Sequence, residues 1–154
     1  MAIEAPLCRY KKTNFKITII ILLVATVWFA YDGYANDKFI EKHTNADGSV
    51  DATLVFHRKS PPFFAAGAIA LAIYFWIIKG KKLVADEEAL VFSNGNKITY
   101  NSIESVDKTN YQSKGYFVIR YKDAGGTELR HKISNRTYDN LDAILEHLIA
   151  KITA

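Results

Sequence analysis

The chain changes character at one short stretch, Phe75-Trp76-Ile77-Ile78-Lys79-Gly80-Lys81-Lys82. Before it lies an apolar segment without a charged residue, and three lysines then open a polar region. Lysines that directly follow a long apolar run are typical of a transmembrane helix leaving the bilayer on its cytoplasmic side. The stretch therefore predicts a membrane helix that ends here and a water-soluble domain that follows it.

Charge is distributed unevenly along the 154 residues. Residues 17–31 and 60–78 contain no Asp, Glu, Lys or Arg, whereas residues 79–154 carry twelve basic and ten acidic side chains. The formal net charge of +4 comes mostly from residues that flank the apolar segments, so it gives little support to nucleic-acid binding. The single cysteine, Cys8, excludes an intrachain disulfide and a cysteine-based zinc site.

The first apolar segment predicts a transmembrane helix over residues 17–34, after a basic N-terminal segment of residues 1–16. Three aromatic residues, Trp28, Tyr31 and Tyr34, follow each other at helical spacing near its end, as in an interfacial aromatic belt. A cleaved signal peptide is the alternative, because Gly33-Tyr34-Ala35 offers small residues at the cleavage positions. The bulky aromatic residues around this point favour the uncleaved helix.

The second apolar segment predicts a transmembrane helix over residues 61–78. Ser60-Pro61-Pro62 suits its start, since proline is tolerated in a first helical turn. Small side chains in its first half let another helix approach closely, and this neighbour is either the first helix or a partner subunit. The small residues are Ala65, Ala66, Ala68, Ala70 and Ala72.

The placement of basic residues predicts the orientation of both helices. Lysine and arginine precede the first helix and follow the second, which places both termini in the cytoplasm of a bacterium, with two crossings of its inner membrane. Residues 17–31 and 61–78 contain no Asp, Glu, Lys, Arg or His, which argues against a proton relay or an ion path there. The predicted membrane-interface residues are Trp28, Tyr31, Tyr34, Trp76, Lys79, Lys81 and Lys82.

Residues 35–60 are predicted to form an outer, periplasmic loop. Asn45-Ala46-Asp47-Gly48-Ser49 is a strong turn signal, and the β-prone run Ala52-Thr53-Leu54-Val55-Phe56 after it indicates a short hairpin. His43 and His57 have no recognised metal-ligand spacing, so they are predicted to be solvated residues.

Residues 79–154 are predicted to form a cytoplasmic domain of short antiparallel strands closed by a C-terminal helix. Asn94-Gly95 is the best hairpin signal in the chain. Alternating apolar residues in the last two strands share a face only if an odd-length loop joins them, so we expect three or five residues with a left-handed glycine. Helical spacing then covers residues 138–152, with Thr137 or Asn135 as the N-cap.

This domain resembles the bacterial pleckstrin-homology-like domains of small membrane proteins. The resemblance covers roughly residues 83–152 and rests mainly on Asn94-Gly95-Asn96-Lys97-Ile98-Thr99-Tyr100-Asn101-Ser102-Ile103-Glu104-Ser105-Val106. Lys114-Gly115 before a strand and the closing helix add to it. The resemblance implies seven strands, of which about six can be counted here. The expected fold is thus two membrane helices followed by an antiparallel sheet or partial barrel with a helical cap.

Basic residues on the last two predicted strands form a candidate face for anionic lipid or a partner. The alternative is a solvated face balanced by acids such as Asp123 and Glu128. The candidate residues are Arg120, Lys122, Arg130 and Lys132.

No catalytic, metal or cofactor motif is present in the sequence, so we do not expect an enzyme. The first hypothesis is an accessory or scaffolding subunit of a larger membrane complex, such as an energy-transducing, respiratory or photosynthetic one. The alternative is a membrane-surface module that binds lipid or peptide and has a regulatory role. Membrane lipids and other membrane subunits are the expected partners, without nucleic acid.

Overall fold

A computed structural model of the chain describes residues 2–153. The chain forms two compact units. The helical unit contains Thr13–Ile77, and the β unit contains the residues up to Lys12 together with those from Ile78 onward.

The helical unit is built from α1 (Arg9–Tyr34), α2 (Asp37–Lys42), α3 (Ala52–Lys59) and α4 (Pro61–Ile78). By length and composition, Arg9–Tyr34 and the continuous stretch Ala52–Ile78 could each cross a membrane. The structure thus agrees with two long apolar helices. The first begins at Arg9, earlier than the predicted residue 17.

Aromatic side chains pack α1 against α4, and a glycine packs it against α3. The ring of Phe15 lies 5.6 Å from that of Tyr74, and Phe29 stacks on Phe64 at 5.4 Å. Gly33 lies against the backbone of His57, where an added Cβ would come within 2.9 Å of the carbonyl oxygen. The absence of a side chain at Gly33 allows this close approach of the two segments.

The predicted hairpin in residues 35–60 is wrong, although its turn is present. Asn45 donates its backbone N–H to the Ser49 carbonyl at 2.7 Å, and Gly48 has φ of +82°. The run after the turn is helix α3, because the Asp51 carboxylate accepts the Leu54 N–H at 2.9 Å and caps the helix. Leu54 is fully buried, so tertiary packing also favours the helix over the intrinsic β-propensity.

The β unit contains two antiparallel sheets that are not closed into a barrel, with strand orders β1-β2-β3-β4 and β5-β6-β7. A short helix, α5 (Tyr111–Lys114), precedes β6, and α6 (Leu141–Ile152) follows β7. The strands are β1 (Ile3–Pro6), β2 (Lys82–Ala85), β3 (Ala89–Phe92), β4 (Lys97–Thr99), β5 (Ile103–Asp107), β6 (Tyr116–Lys122) and β7 (Glu128–Ser134).

The N-terminal segment is a strand of the β unit, which the sequence did not predict. In β1, Ala5 lies opposite Leu83 of β2, and both side chains are fully buried. Pro6 is tolerated because β1 is an edge strand. Residues 79–154 therefore do not form the domain alone. The helical unit is inserted in the chain between two paired strands.

Both predicted hairpin turns are confirmed. Gly95 has φ of +84° in the connection between β3 and β4. The β6–β7 loop has five residues, 123–127, since Lys122 is paired with Glu128. Gly126 supplies the left-handed conformation, with φ of +81°. The apolar face is shared as predicted, with Phe117 opposite Ile133.

Helix α6 covers both sheets but starts later than predicted. Its N-cap is Asn140 rather than Thr137 or Asn135, because the preceding residues bind the N-terminal segment. The Thr137 carbonyl accepts the Cys8 N–H at 2.8 Å, and the Asp139 carboxylate accepts the Arg9 N–H at 2.8 Å. The core includes Leu141, Ile144 and Leu148 of α6 with Phe117, Ile119 and Ile133 of the sheet.

Candidate functional site

The small residues of α4 are divided between two faces of the helix. Ala68 is buried, and Ala65 is half-buried. Ala66, Ala70 and Ala72 are exposed. Ala66 and Ala70, four residues apart, are both exposed on one face, whereas Ala68 and Ala72 on the other face differ, with Ala68 buried and Ala72 exposed. The helical unit therefore uses part of the small-residue surface for its own packing and leaves part of it uncovered.

The predicted interface aromatics are all more than half exposed, as expected of side chains that face lipid or headgroups. Trp28 donates its indole N–H to the Asp32 carboxylate at 2.9 Å, and Tyr34 donates its hydroxyl to the Arg58 carbonyl at 2.9 Å. The other two are Tyr31 and Trp76. At the predicted junction, Lys79 and Lys81 are exposed, and Lys82 forms an ion pair with Glu4 of β1.

A buried polar cluster, not predicted from the sequence, lies at the end of α1. Asp32 is only 8% exposed and accepts the side-chain N–H groups of Trp28 and, at 2.8 Å, Asn36. His57 Nδ1 lies 3.6 Å from the Asp32 carboxylate, with the His57 ring stacked on Phe39. The available signal was the spacing of Trp28, Asp32 and Asn36, which places all three on one helix face.

Neither loop histidine is solvated as predicted: His43 has a hydrogen-bond partner, whereas His57 Nδ1 is buried without one in the described part of the chain. His43 Nδ1 lies 2.7 Å from the Asp51 carboxylate. The hydrogen bond from His43 lowers the pKa of Asp51, and the Leu54 N–H adds to this effect. Across residues 2–153, no three His, Cys, Asp or Glu side chains come together as a group that could hold a metal ion.

The four basic residues predicted on the last two strands do share one face of the β5-β6-β7 sheet. Arg120 lies directly opposite Arg130, and Lys122 lies opposite Glu128. Lys122 also pairs with Glu104 at 2.7 Å, which raises the pKa of Lys122. Lys132 places its ammonium 3.7 Å from the centre of the Tyr116 ring. The face is basic but partly neutralised by Glu104 and Glu128.

The two histidines of the β unit serve its structure. His131 packs against Phe92 with ring centres 4.7 Å apart, and burial lowers the pKa of His131. His147 Nε2 lies 3.0 Å from the Asp86 carbonyl, which also accepts the Tyr100 hydroxyl at 2.9 Å. Burial is the main reason that the pKa of Tyr100 is raised to about 12. These contacts hold the β2–β3 turn to α6.

Comparison with protein-family models, with curated proteins and with solved structures finds no match for this chain.

Proposed function

We propose that the chain is a two-pass membrane protein that acts as a non-catalytic accessory subunit of a larger membrane complex. In this proposal α1 and α4 cross the bacterial inner membrane and α4 contacts a neighbouring subunit. The β unit lies in the cytoplasm. The observation that carries the proposal is the exposed pair Ala66 and Ala70 on α4, a surface that α1 leaves uncovered.

The pairing of β1 with β2 supports the two-pass topology. β1 precedes α1, β2 follows α4, and both strands belong to one sheet. A chain that leaves a domain, crosses a bilayer and returns to the same domain must cross an even number of times. The basic residues Arg9, Lys11 and Lys12 lie in the first turn of α1, and Lys79 and Lys81 follow α4. Basic residues at these two helix ends favour the cytoplasm for the β unit.

The exposed face of α4 supports a helical partner within the bilayer. Alanines four residues apart let a neighbouring backbone come close, so that van der Waals contacts and Cα–H···O contacts form along the crossing. The larger apolar side chains Phe63, Ile73 and Trp76 are also exposed and enlarge the surface that a partner or lipid would cover. A partner helix from another subunit fits this combination.

A pleckstrin-homology-like identity of the β unit belongs to the same proposal. The strand missing from the sequence count is β1, which brings the described total to seven. The C-terminal helix α6 covers the two sheets, as the resemblance implies. The strand count and the closing helix support the proposed pleckstrin-homology-like identity of the β unit.

Purification of the tagged full-length chain in a mild detergent tests the accessory function. We expect stoichiometric membrane partners with the wild type and their loss when Ala66 and Ala70 are both replaced by leucine. Ile69→Leu and Ile73→Leu, on exposed positions of the same helix, are matched controls that should keep the partners. A wild-type chain that purifies without stoichiometric partners would contradict the proposal.

A second candidate function, a lipid- or peptide-responsive module, is favoured by the opposed Arg120 and Arg130. Because Pro6 is paired with Lys82, a short Gly-Ser turn can replace residues 8–80 and yield the β unit alone. Flotation of that protein with vesicles should require anionic lipid and weaken with salt. An absence of binding to anionic vesicles at low salt would exclude the lipid version.

A further inference from the structure

A polar cleft opens between α5 and the end of β7, and it holds three basic side chains. Its volume is about 690 Å³. Lys114 comes from the end of α5, Lys132 from β7, and Arg136 from the turn that follows β7. The full lining is Tyr111, Gln112, Ser113, Lys114, Gly115, Tyr116, Lys132, Ser134, Asn135 and Arg136.

The charge of this cleft is not balanced from within. Its lining contains three cations and no carboxylate. Among the described residues, no salt bridge involves Lys114, Lys132 or Arg136, and Lys132 instead lies over the Tyr116 ring. This distinguishes the cleft from the neighbouring sheet face, where Lys122 is paired with Glu104. The cleft is therefore a place in the β unit where cations gather without acidic partners in its lining.

The backbone around the cleft is fixed by a close contact between two turns. Gly115 has φ of +66°, and its carbonyl accepts the Asn135 N–H at 2.9 Å. A Cβ on Gly115 would come within 2.1 Å of the Asn135 side chain. The glycine thus holds the two turns together, and with them Lys114 on one turn and Arg136 on the other.

The cleft lies at the end of the β unit from which the chain enters α1. Arg136 is adjacent to Thr137, whose carbonyl accepts the Cys8 N–H, and Cys8 directly precedes the first residue of α1. With α1 as a membrane helix, the chain runs from this part of the β unit directly into the membrane-spanning segment. The cleft therefore combines unbalanced positive charge with a short chain connection to the proposed membrane helix.

We propose that the Lys114–Lys132–Arg136 cleft binds a phosphate group, that of an anionic phospholipid headgroup. The arginine offers a planar set of N–H donors to phosphate oxygens, and the two lysines act as point charges. Ser134, Asn135 and Gln112 provide neutral donors for the remaining oxygens or a headgroup hydroxyl. The proposal rests on the membrane location proposed for α1 but not on the accessory role, since the cleft and the exposed face of α4 are separate features.

The test is a titration of the full-length protein in neutral detergent micelles, followed by amide chemical shifts. The probes are dioctanoyl phosphatidylglycerol in one arm, zwitterionic dioctanoyl phosphatidylcholine in a second and inorganic phosphate in a third. We expect saturable shifts at Gly115, Ser134 and Asn135 with phosphatidylglycerol and weaker ones with phosphatidylcholine. Combined replacement of Lys114 and Arg136 by glutamine should weaken the affinity for phosphatidylglycerol by about tenfold or more, as expected when charge-assisted hydrogen bonds are lost.

The matched control replaces Lys97 and Lys151 by glutamine, which removes the same charge from exposed positions of the β unit outside both the cleft and the Arg120–Arg130 face. This control should change the affinity by no more than about threefold, the effect of exposed charges that act at a distance. Equal losses in the two double variants, or no saturable shift with any probe, would overturn the proposal. If inorganic phosphate saturates the cleft and phosphatidylglycerol does not, the cleft binds phosphate, but the proposal that the phosphate belongs to a lipid is overturned.

Discussion

Two glycines of the helical unit differ in what surrounds them, although both are helical. At Gly33 an added Cβ would lie 2.9 Å from the His57 carbonyl oxygen and 3.2 Å from the Arg58 side chain. At Gly67 the nearest atom is Leu22 Cδ1 at 3.7 Å, an ordinary contact. The difference is not visible in the sequence, where both glycines lie in or beside apolar runs.

Gly33→Ala should therefore destabilise the helical unit relative to Gly67→Ala. Both substitutions gain helix propensity, but only the first forces a backbone contact apart, at a cost of about 1–3 kcal/mol. Unfolding of the two variants in a dodecyl sulfate titration of detergent micelles measures this difference. Equal stability of the two variants would show that α1 does not contact the His57 backbone closely.

His131 connects the stability of the β unit to pH. Burial against Phe92 lowers the pKa of the folded His131 below its usual 6.5, so the unfolded chain takes up the proton first as the pH falls. The free energy of unfolding should then decrease as the pH drops below about 6.5. His131→Gln should show a smaller decrease between about pH 7.5 and about pH 5.5 in thermal unfolding. Identical pH dependence of variant and wild type would contradict this account.

Local sequence signals predicted the turns well and the partners of polar residues poorly. Asn94-Gly95 and the glycine of the β6–β7 loop act through their own backbone conformation, which the sequence states directly. Asp32 and His57 are far apart in the chain and meet only after α1 and α3 pack, so no local pattern indicated their contact.

At the scale of elements, β1 is the strand that sequence reasoning did not find. It has four residues, ends in proline and pairs with a strand more than seventy residues away. Strand propensity over so short a run carries little information, and the pairing is decided by tertiary structure. The opposite error occurred at Ala52–Lys59, where β-prone residues form a helix because Asp51 caps it.

A designed disulfide tests the pairing of β1. Glu4 lies opposite Val84, and the row continues across the sheet through Val91 to Lys97. In a Cys8→Ser background, cysteines at Glu4 and Val84 should cross-link efficiently, since directly opposite residues have Cβ atoms about 5 Å apart. Mass spectrometry of the digested, non-reduced protein detects the bond.

Cysteines at Glu4 and Lys97 provide the control in the same row. Three strand spacings, about 14 Å in total, separate these positions, so no intramolecular bond should form. Equal cross-linking of the two pairs would indicate a mobile N-terminal segment instead of a strand.

At the scale of the molecule, the junction after α4 is one of two connections between the units. The chain leaves the β unit after β1 and Lys12, forms the helical unit and returns at Ile78, four residues before β2. The apolar runs and the change at Lys79 were readable from the sequence, because they depend on composition over long windows. The sequence did not show that the β unit begins before the first helix. This depends on the pairing of β1 with β2 across the inserted helical unit.

Cysteine labelling in intact cells is the most direct test of the proposed two-pass topology with a cytoplasmic β unit. Two variants are made in a Cys8→Ser background, each with one cysteine at an exposed position. One replaces Ala46, in the turn between α2 and α3, and the other replaces Lys108 in the β unit. A membrane-impermeant maleimide should label the cysteine at position 46 from outside the inner membrane, and the cysteine at position 108 only after the membrane is permeabilised. Labelling of both from the same side, or of position 108 alone from outside, would contradict a two-pass protein with a cytoplasmic β unit.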